Sequence, residues 1–313
     1  MPALKTWISR LGKALAGLLL VLAATGYFYE RRADAEAARG NLLKGKLVDV
    51  GGYRLHLDCQ GSGAPTVVLD SGFLDSLEQW DKVQPEVARF TRTCSYDRAG
   101  IGWSDIGPKP RTAKHQAIEL HTLLNQAGEH FPFVLVGHSY CGLIARMFAS
   151  MYPTEVRGMV LDDVVAPEEM TEFPPERSAI PSYQIQLIRI MAPFGLPRLI
   201  GLCNPTGARP DCQRFITAEM DNLVSYGESH AEVNRTKDLG DLPLAILAHD
   251  PNVGLSGRRD EAFAAAWARW QRNMMRLSTA STFVEAVGVG HEIQRDKPTL
   301  VIEAIARIVS ASR

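Results

Sequence analysis

The chain has no surplus of either charge: 34 lysines and arginines stand against 35 aspartates and glutamates. That balance offers nothing to a nucleic acid or another polyanion. There is also no repeat of fixed period and no low-complexity tract, so a stacked-repeat architecture finds no support. Cysteine is scarce, with five residues in 313. What remains is a globular composition, 46% hydrophobic and 22% charged, with length enough for an ample core in one large domain or two small ones.

One segment departs from this composition. Lys5, Arg10 and Lys13 precede an uncharged run from Ala14 to Tyr29, and Glu30-Arg31-Arg32 follow. A basic flank before a short apolar segment is the pattern of an export signal. At 16 residues the run is slightly short for a full span, but Trp7 and Tyr27-Phe28-Tyr29 suit the two interfaces. No small-x-small cleavage site follows directly; Ala33-Asp34-Ala35 has the spacing, but Arg31-Arg32 intervene. An uncleaved N-terminal anchor is therefore expected ahead of a cleaved signal. The protein would sit in the cell envelope, facing an extracytoplasmic space, or be secreted if the segment is removed. An amphipathic surface helix is the weaker alternative, because Leu18 to Ala24 is apolar on every side. Residues 31–45, rich in Ala, Arg and Glu, are predicted as a helical linker.

The most informative stretch is Phe133-Val134-Leu135-Val136-Gly137-His138-Ser139-Tyr140-Cys141-Gly142-Leu143-Ile144. It opens as an apolar run fit for a buried strand and closes as a helix-like run, with no room for a loop between them. Such a turn forces its central residue into a strained backbone conformation and pushes the Ser139 hydroxyl outward, toward the place where the new helix aims its N-terminus. This is the mechanics of a nucleophile elbow. The alternative is a glycine-rich turn whose serine only caps a helix. The usual pattern is G-x-S-x-G; here Cys141 holds the fifth position and Gly142 follows. Cysteine is small and apolar, and Cys141 is read as packing, not as a second nucleophile.

Elements on either side support a layered α/β fold. Leu47–Val50 and Tyr53–Cys59, around Gly51-Gly52, alternate like a hairpin. Thr66–Leu69, Thr93–Tyr96, Met159–Leu161, Leu244–Ala248 and Thr282–Val287 read as buried strands, with helices over about 112–127, 259–276 and 298–310. Buried strands alternating with helices imply a parallel sheet covered on both faces, with chemistry at the carboxyl ends of its strands. The cysteines fit an oxidising compartment if Cys59 pairs with Cys94 and Cys203 with Cys212, leaving Cys141; five ordinary buried thiols are the alternative.

The stretch Tyr96-Asp97-Arg98-Ala99-Gly100-Ile101-Gly102-Trp103-Ser104 resembles the YDRxGxGxS signature of α/β-hydrolases. It stands at the right distance before Gly137-His138-Ser139-Tyr140-Cys141-Gly142, and Gly290-His291 is similar to the family's catalytic histidine segment. The resemblance runs from about residue 45 to the C-terminus and weakens between about 170 and 238. It implies the α/β-hydrolase fold: an eight-stranded, mostly parallel sheet with helices on both faces and a helical cap insertion. The domains expected are an N-terminal segment and linker (1–44), a core (45–166 and 239–313) and a cap (167–238).

The chemistry is also argued from the residues. A serine hydroxyl needs a base within hydrogen-bond reach, and His291, in a Gly-rich loop after the last predicted strand, is the best candidate. His138 is read as structural, and His249 is a weak rival at another strand end. Two carboxylates compete to orient the imidazole. Asp250 follows the penultimate strand, where most family members carry their acid. Asp163 follows the strand after the elbow helix, in a segment similar to that of haloalkane dehalogenases that place their acid there. Asp163 is favoured, with Asp250 the alternative. The oxyanion donors expected are the backbone N–H groups of Tyr140 and Phe73. Relatives often carry His-Gly in that loop; this chain has Ser71-Gly72.

Between 167 and 238 the prolines Pro167, Pro174, Pro175, Pro181, Pro193, Pro197, Pro205 and Pro210 break the alternation. Amphipathic helices are predicted at Gln184–Met191 and Phe215–Tyr226, with Met170, Phe173, Phe194 and Phe215 as cap core or pocket wall. The expected activity is hydrolysis of small-molecule carboxylic esters through an acyl-enzyme, with no metal or organic cofactor and no nucleic acid partner. A haloalkane dehalogenase would carry Asp where Ser139 stands. An amidase or peptidase, or a non-catalytic binding module on the same fold, are the alternatives.

Overall fold

The computed structural model describes residues 2–40, 43–173, 182–203, 211–236, 238–253 and 258–312. Pro174, Pro175, Pro181, Pro205 and Pro210, and the interior of the Cys203–Cys212 loop, lie outside these residues.

Eight strands form one sheet: β1 Lys46–Asp49, β2 Arg54–Gln60, β3 Thr66–Asp70, β4 Thr93–Asp97, β5 Phe133–His138, β6 Val156–Asp162, β7 Leu244–His249 and β8 Ser281–Ala286. Their order is β1-β2-β4-β3-β5-β6-β7-β8. The first two pairings are antiparallel and the rest parallel. Strands β3, β4 and β5 are buried along their whole length, which is why their sequences are continuous apolar runs and not alternations. Asp49 accepts from the N–H groups of Gly51 and Gly52, and this fixes the β1–β2 turn. Cys59 and Cys94 face each other across β2 and β4 and form a disulfide; Cys203 and Cys212 form a second, and Cys141 is free and buried.

The α-helices are α1 Pro2–Gly40, α2 Gln84–Val87, α3 Ala113–Ala127, α4 Cys141–Met151, α5 Glu169–Glu172, α6 Ser182–Met191, α7 Leu196–Leu199, α8 Cys212–Val224, α9 Tyr226–Val233, α10 Arg258–Asn273, α11 Ile293–Asp296 and α12 Pro298–Ala311. Two apolar clusters form the core. One contains Leu135, Phe148, Met159 and Trp270, and the other Val136, Val160, Ile305 and Val309. Successive residues of β5 and β6 thus contribute to opposite clusters, as period-two geometry requires. Helix α12 buries Val301, Ile305 and Ile308 on one stripe.

Contacts divide the chain into two compact units. The larger comprises Leu43–Ala179 and Ala218–Arg313 and the smaller Met1–Leu42 and Ile180–Thr217. The region read as one cap is therefore shared. Helix α9 belongs to the larger unit because its residues satisfy the start of α3: Arg111 and Ala113 N–H donate to Ser225 Oγ and Ser229 Oγ, and Lys114 N–H to Glu232. Helix α1 is continuous through the predicted linker to Gly40, and its Thr6–Glu36 portion is long and apolar enough to cross a membrane.

Candidate active site

Three non-glycine residues have positive φ among the described residues: Leu74 (67°), Ser139 (54°) and Asp163 (48°). All three follow carboxyl ends of sheet strands, β3, β5 and β6. Each such residue costs on the order of 1–3 kcal/mol unless its surroundings hold it. Ser139 is held by its own N–H, which donates to Asp162 O at 3.1 Å, and by Gly142 and Val165 N–H groups that donate to its carbonyl. Asp163 N–H donates to Leu247 O at 2.9 Å. Gly142 lies where a Cβ would collide with Val164, so the glycine this elbow needs falls one position later than in the usual motif.

The strain aims side chains at one point. Ser139 Oγ lies 2.9 Å from His291 Nε2, and His291 Nδ1 donates to Asp163 Oδ2 at 2.5 Å. Asp163 is fully buried and receives four donors. Oδ2 accepts from His291 Nδ1 and from His249 Nδ1 at 2.7 Å; Oδ1 accepts from Trp267 Nε1 at 2.9 Å and His249 N–H at 3.1 Å. Burial alone would raise the Asp163 pKa, but the hydrogen bonds and charges of His249 and His291 outweigh it and hold the carboxyl well below its ordinary value. Burial opposes charge on His291, yet the hydrogen bond and charge of Asp163 raise its pKa above the ordinary histidine value.

Beside Ser139 runs the loop after β3. Gly72 N–H donates to Gln79 Oε1 at 2.7 Å and Leu74 N–H to Glu219 Oε1 at 3.1 Å. Between them, Phe73 N–H finds no acceptor among the described residues, and neither does Tyr140 N–H at the elbow. A Cβ on Gly72 would press on His138 and Ser139, so only glycine lets this loop lie against the elbow.

Residues 65–190 match the family described as alpha/beta hydrolase fold. The chain belongs to the α/β-hydrolase superfamily. Among curated proteins it is similar to YqjL of Bacillus subtilis (strain 168), 28% identical over 252 residues that cover 79% of this chain and 84% of that protein. Among solved structures it resembles the epoxide hydrolase CorEH (TM-score 0.60, 19% identity, 86% of this chain and 99% of that one). It also resembles a thermophilic esterase from Thermogutta terrifontis (TM-score 0.57, 20% identity, 86% and 99%). At these identities the likeness is one of fold, and two chemistries share it.

In this α/β hydrolase the YDRxGxGxS signature is a scaffold for the loop that carries Phe73. Arg98 is buried and donates to Asp70 Oδ1 at 3.0 Å, to Gly72 O at 2.8 Å, to Cys141 Sγ at 2.9 Å and to Ser71 O. The Cys141 thiol also donates to Ser71 O at 2.7 Å. Burial pushes that thiol well up, so it stays protonated. The unusual residue of the elbow is thereby part of the clasp on the neighbouring loop. Asp97 accepts from Leu77 and Trp103 N–H groups, and Ser104 Oγ donates to Asp97 O. Replacing Arg98 by methionine is expected to destabilise the fold by about 3–5 kcal/mol, because buried Asp70 loses its counter-charge. A urea unfolding midpoint unchanged from the parent would contradict that role.

Asp250 is not at this point. It accepts from Gly288 N–H at 2.9 Å and from Asn252, bracing the turn that leads to the histidine loop. At the end of β7 it is His249, not Asp250, that turns toward Asp163. Asp162, next to Asp163 in the chain, makes no hydrogen bond to the imidazole; burial pushes its carboxyl well up, and its oxygens have no partner among the described residues. His138 is buried, its pKa lowered to about 3 by burial and by the charge of His291, and its Nε2 donates to His291 O at 3.0 Å.

Gln79 escaped the sequence reading. Its amide joins Gly72 N–H, His138 Nδ1 and Glu292 Oε2, and so ties the β3 loop, the elbow and the histidine loop together. No motif marks it, since it lies in the one-turn segment Leu77–Trp80. Trp267 carries no motif either; in the sequence it is one position of the helix over 259–276. Phe173, one of the proposed lining residues, packs edge-on against Phe263 and Trp270, and Phe215 is buried. Ligand atoms of Asp163, His249 and His291 lie within 4.8 Å of one another, a spacing that suits a metal ion. Protons on both Nδ1 atoms satisfy these donors as they stand.

Proposed function

We propose that this α/β hydrolase cleaves carboxylic esters through an acyl-enzyme formed on Ser139. The run of contacts from Ser139 through His291 to Asp163 carries this reading. The Ser139 oxygen bonds to the ester carbonyl carbon while its proton passes to His291 Nε2. The carbonyl oxygen takes up negative charge, and the N–H groups of Phe73 and Tyr140 receive it. Collapse breaks the bond to the alcohol, which leaves with the proton from Nε2. Water then adds to the acyl carbon, gives its proton to His291, and the second collapse returns Ser139 and releases the acid. Asp163 stays ionised throughout, fixing the tautomer and stabilising the imidazolium. The substrate is a small-molecule ester.

The reading extends to place. We take α1 as an anchor in a membrane, with the hydrolase on the extracytoplasmic side. The apolar helix and two disulfides in a chain of five cysteines support this.

A fluorophosphonate probe is expected to label Ser139 in the folded protein, and p-nitrophenyl esters of graded acyl length to be turned over. A folded protein that neither labels nor turns them over would instead be a binding module. Faster turnover of a matched anilide than of the ester would mark an amidase.

The base must be neutral to accept a proton, so kcat/KM is expected to fall as His291 is protonated. Asp163 raises that pKa, so the acid limb should lie above about 6.5, with activity kept on its alkaline side. A profile of kcat/KM against pH with its limb below that value would contradict the pairing.

A further inference from the structure

In the smaller unit, α1 meets folded chain at one level. From Trp7 to Leu22 its large apolar side chains are exposed. At Gly26 the helix closes on the backbone of Phe194, where a Cβ would collide with the Phe194 carbonyl. One turn later Glu30 is buried and accepts from Arg198 Nε at 2.9 Å and Nη2 at 2.8 Å, while Asp34 accepts from Arg198 Nη2 at 2.6 Å. Between these contacts lies Tyr27-Phe28-Tyr29, exposed, with the Arg31 guanidinium 5.5 Å from the Tyr27 ring centre. Aromatic residues followed by arginines at the end of an apolar helix are the composition that settles at lipid headgroups. Arg198 therefore ties α7 to α1 at the height where α1 would leave the bilayer.

Beside that tie, α7 and the adjoining α6 carry large apolar side chains that are uncovered. Leu199 and Ile200 follow Arg198 directly. On α6, Tyr183, Leu187 and Ile190 fall on one stripe at helical spacing, while Ile185 is buried on another side. These five are 55–68% exposed. Large apolar side chains left exposed on two adjoining helices mark an interaction site, and an apolar stripe beside a membrane helix fits the interfacial layer.

We propose that the outward face of α6 and α7 is a second membrane contact, seated in the interface of the bilayer that α1 enters. The smaller unit then lies on the membrane instead of hanging from it. The proposal rests on reading α1 as a membrane helix, and the partner is the lipid bilayer itself. Continuity with α1 favours lipid over a second copy of the chain: α7 is joined to α1 through Arg198 and Glu30, and α6 runs directly into residues 192–194, whose Phe194 backbone closes on Gly26.

The test uses the full chain with an environment-sensitive NBD dye on single introduced cysteines: Leu18→Cys in α1, Leu187→Cys and Ile200→Cys on the proposed face, and Ser310→Cys on α12 as reference. Each variant must keep the parent's thermal unfolding midpoint. With vesicles of phosphatidylcholine and phosphatidylglycerol, emission from positions 18, 187 and 200 is expected to shift to shorter wavelength and rise severalfold, while position 310 stays unchanged. Headgroup-level quenchers should quench positions 187 and 200 more than position 18. A shift at 18 without one at 187 and 200 overturns the proposal and leaves the anchor standing. No shift at any of the three overturns both. A shift at 187 and 200 without one at 18 removes α1 from the bilayer and overturns the proposal, which needs both contacts. A shift that needs no vesicles and grows with protein concentration makes the face a contact between copies and overturns the proposal.

Discussion

Replacing Ser139 by alanine is expected to lower kcat for p-nitrophenyl ester hydrolysis by roughly 10⁶-fold. The size follows from the absence of a substitute. Cys141, two residues on, is buried, kept protonated and engaged with Ser71 O and Arg98. Water could still be activated by His291, but it would lack the positioning that the elbow gives Oγ. The fold should survive, because alanine and serine bear the same strain at φ 54°. Glycine at this position should be more stable than alanine by about 1 kcal/mol, since it alone accepts that conformation without cost. Urea unfolding of Ser139→Ala and Ser139→Gly checks the strain, and steady-state kinetics checks the chemistry. A Ser139→Ala enzyme with a tenth of the parent activity would remove Ser139 from the reaction.

Asp163→Asn is expected to cost about 10⁴-fold in kcat, whereas Asp250→Asn should stay within about a factor of two, as for a surface substitution. The reason is countable in donors. All four groups around Asp163 donate, two to each oxygen. An asparagine amide set at Oδ2 opposes the Nδ1–H groups of His291 and His249. Turned the other way, it opposes Trp267 Nε1–H and His249 N–H. Either orientation loses two hydrogen bonds, and neither supplies the charge that stabilises an imidazolium. Asp250 accepts from Asn252 at Oδ1 and from Gly288 N–H at Oδ2; asparagine keeps one of these partners and loses the other, but neither bears on the imidazole. The acid limb of kcat/KM should also move to lower pH in Asp163→Asn, because the group that raises the His291 pKa has lost its charge. Loss of activity in Asp250→Asn with Asp163→Asn intact would reverse the roles.

The strands were legible because fully buried parallel strands read as short apolar runs, and β3, β4 and β5 fall where those runs lie. Their ends were less legible: β6 begins at Val156, earlier than its apolar run, because Arg157 and Gly158 lie on a strand whose pairing, not composition, extends it. The cap was least legible. That α9 joins the larger unit depends on the hydroxyls of Ser225 and Ser229 meeting unpaired N–H groups of a helix more than a hundred residues away, and no local pattern encodes that meeting. Gln79 and Trp267 were invisible for the same reason: each acts through partners distant in sequence.

By itself the amino-acid sequence determined the layered α/β class, the strand-to-helix turn around Ser139 and the apolar character of α1. Each follows from neighbours in the chain: runs of buried side chains, small residues at a tight bend, an uncharged stretch. Only the tertiary structure decided which carboxylate meets His291, what Cys141 and Arg98 hold, and which surface of α6 and α7 stays bare. Those outcomes depend on where strand ends are brought together and on which oxygens four separate donors can reach, and such distances exist only once the sheet has formed.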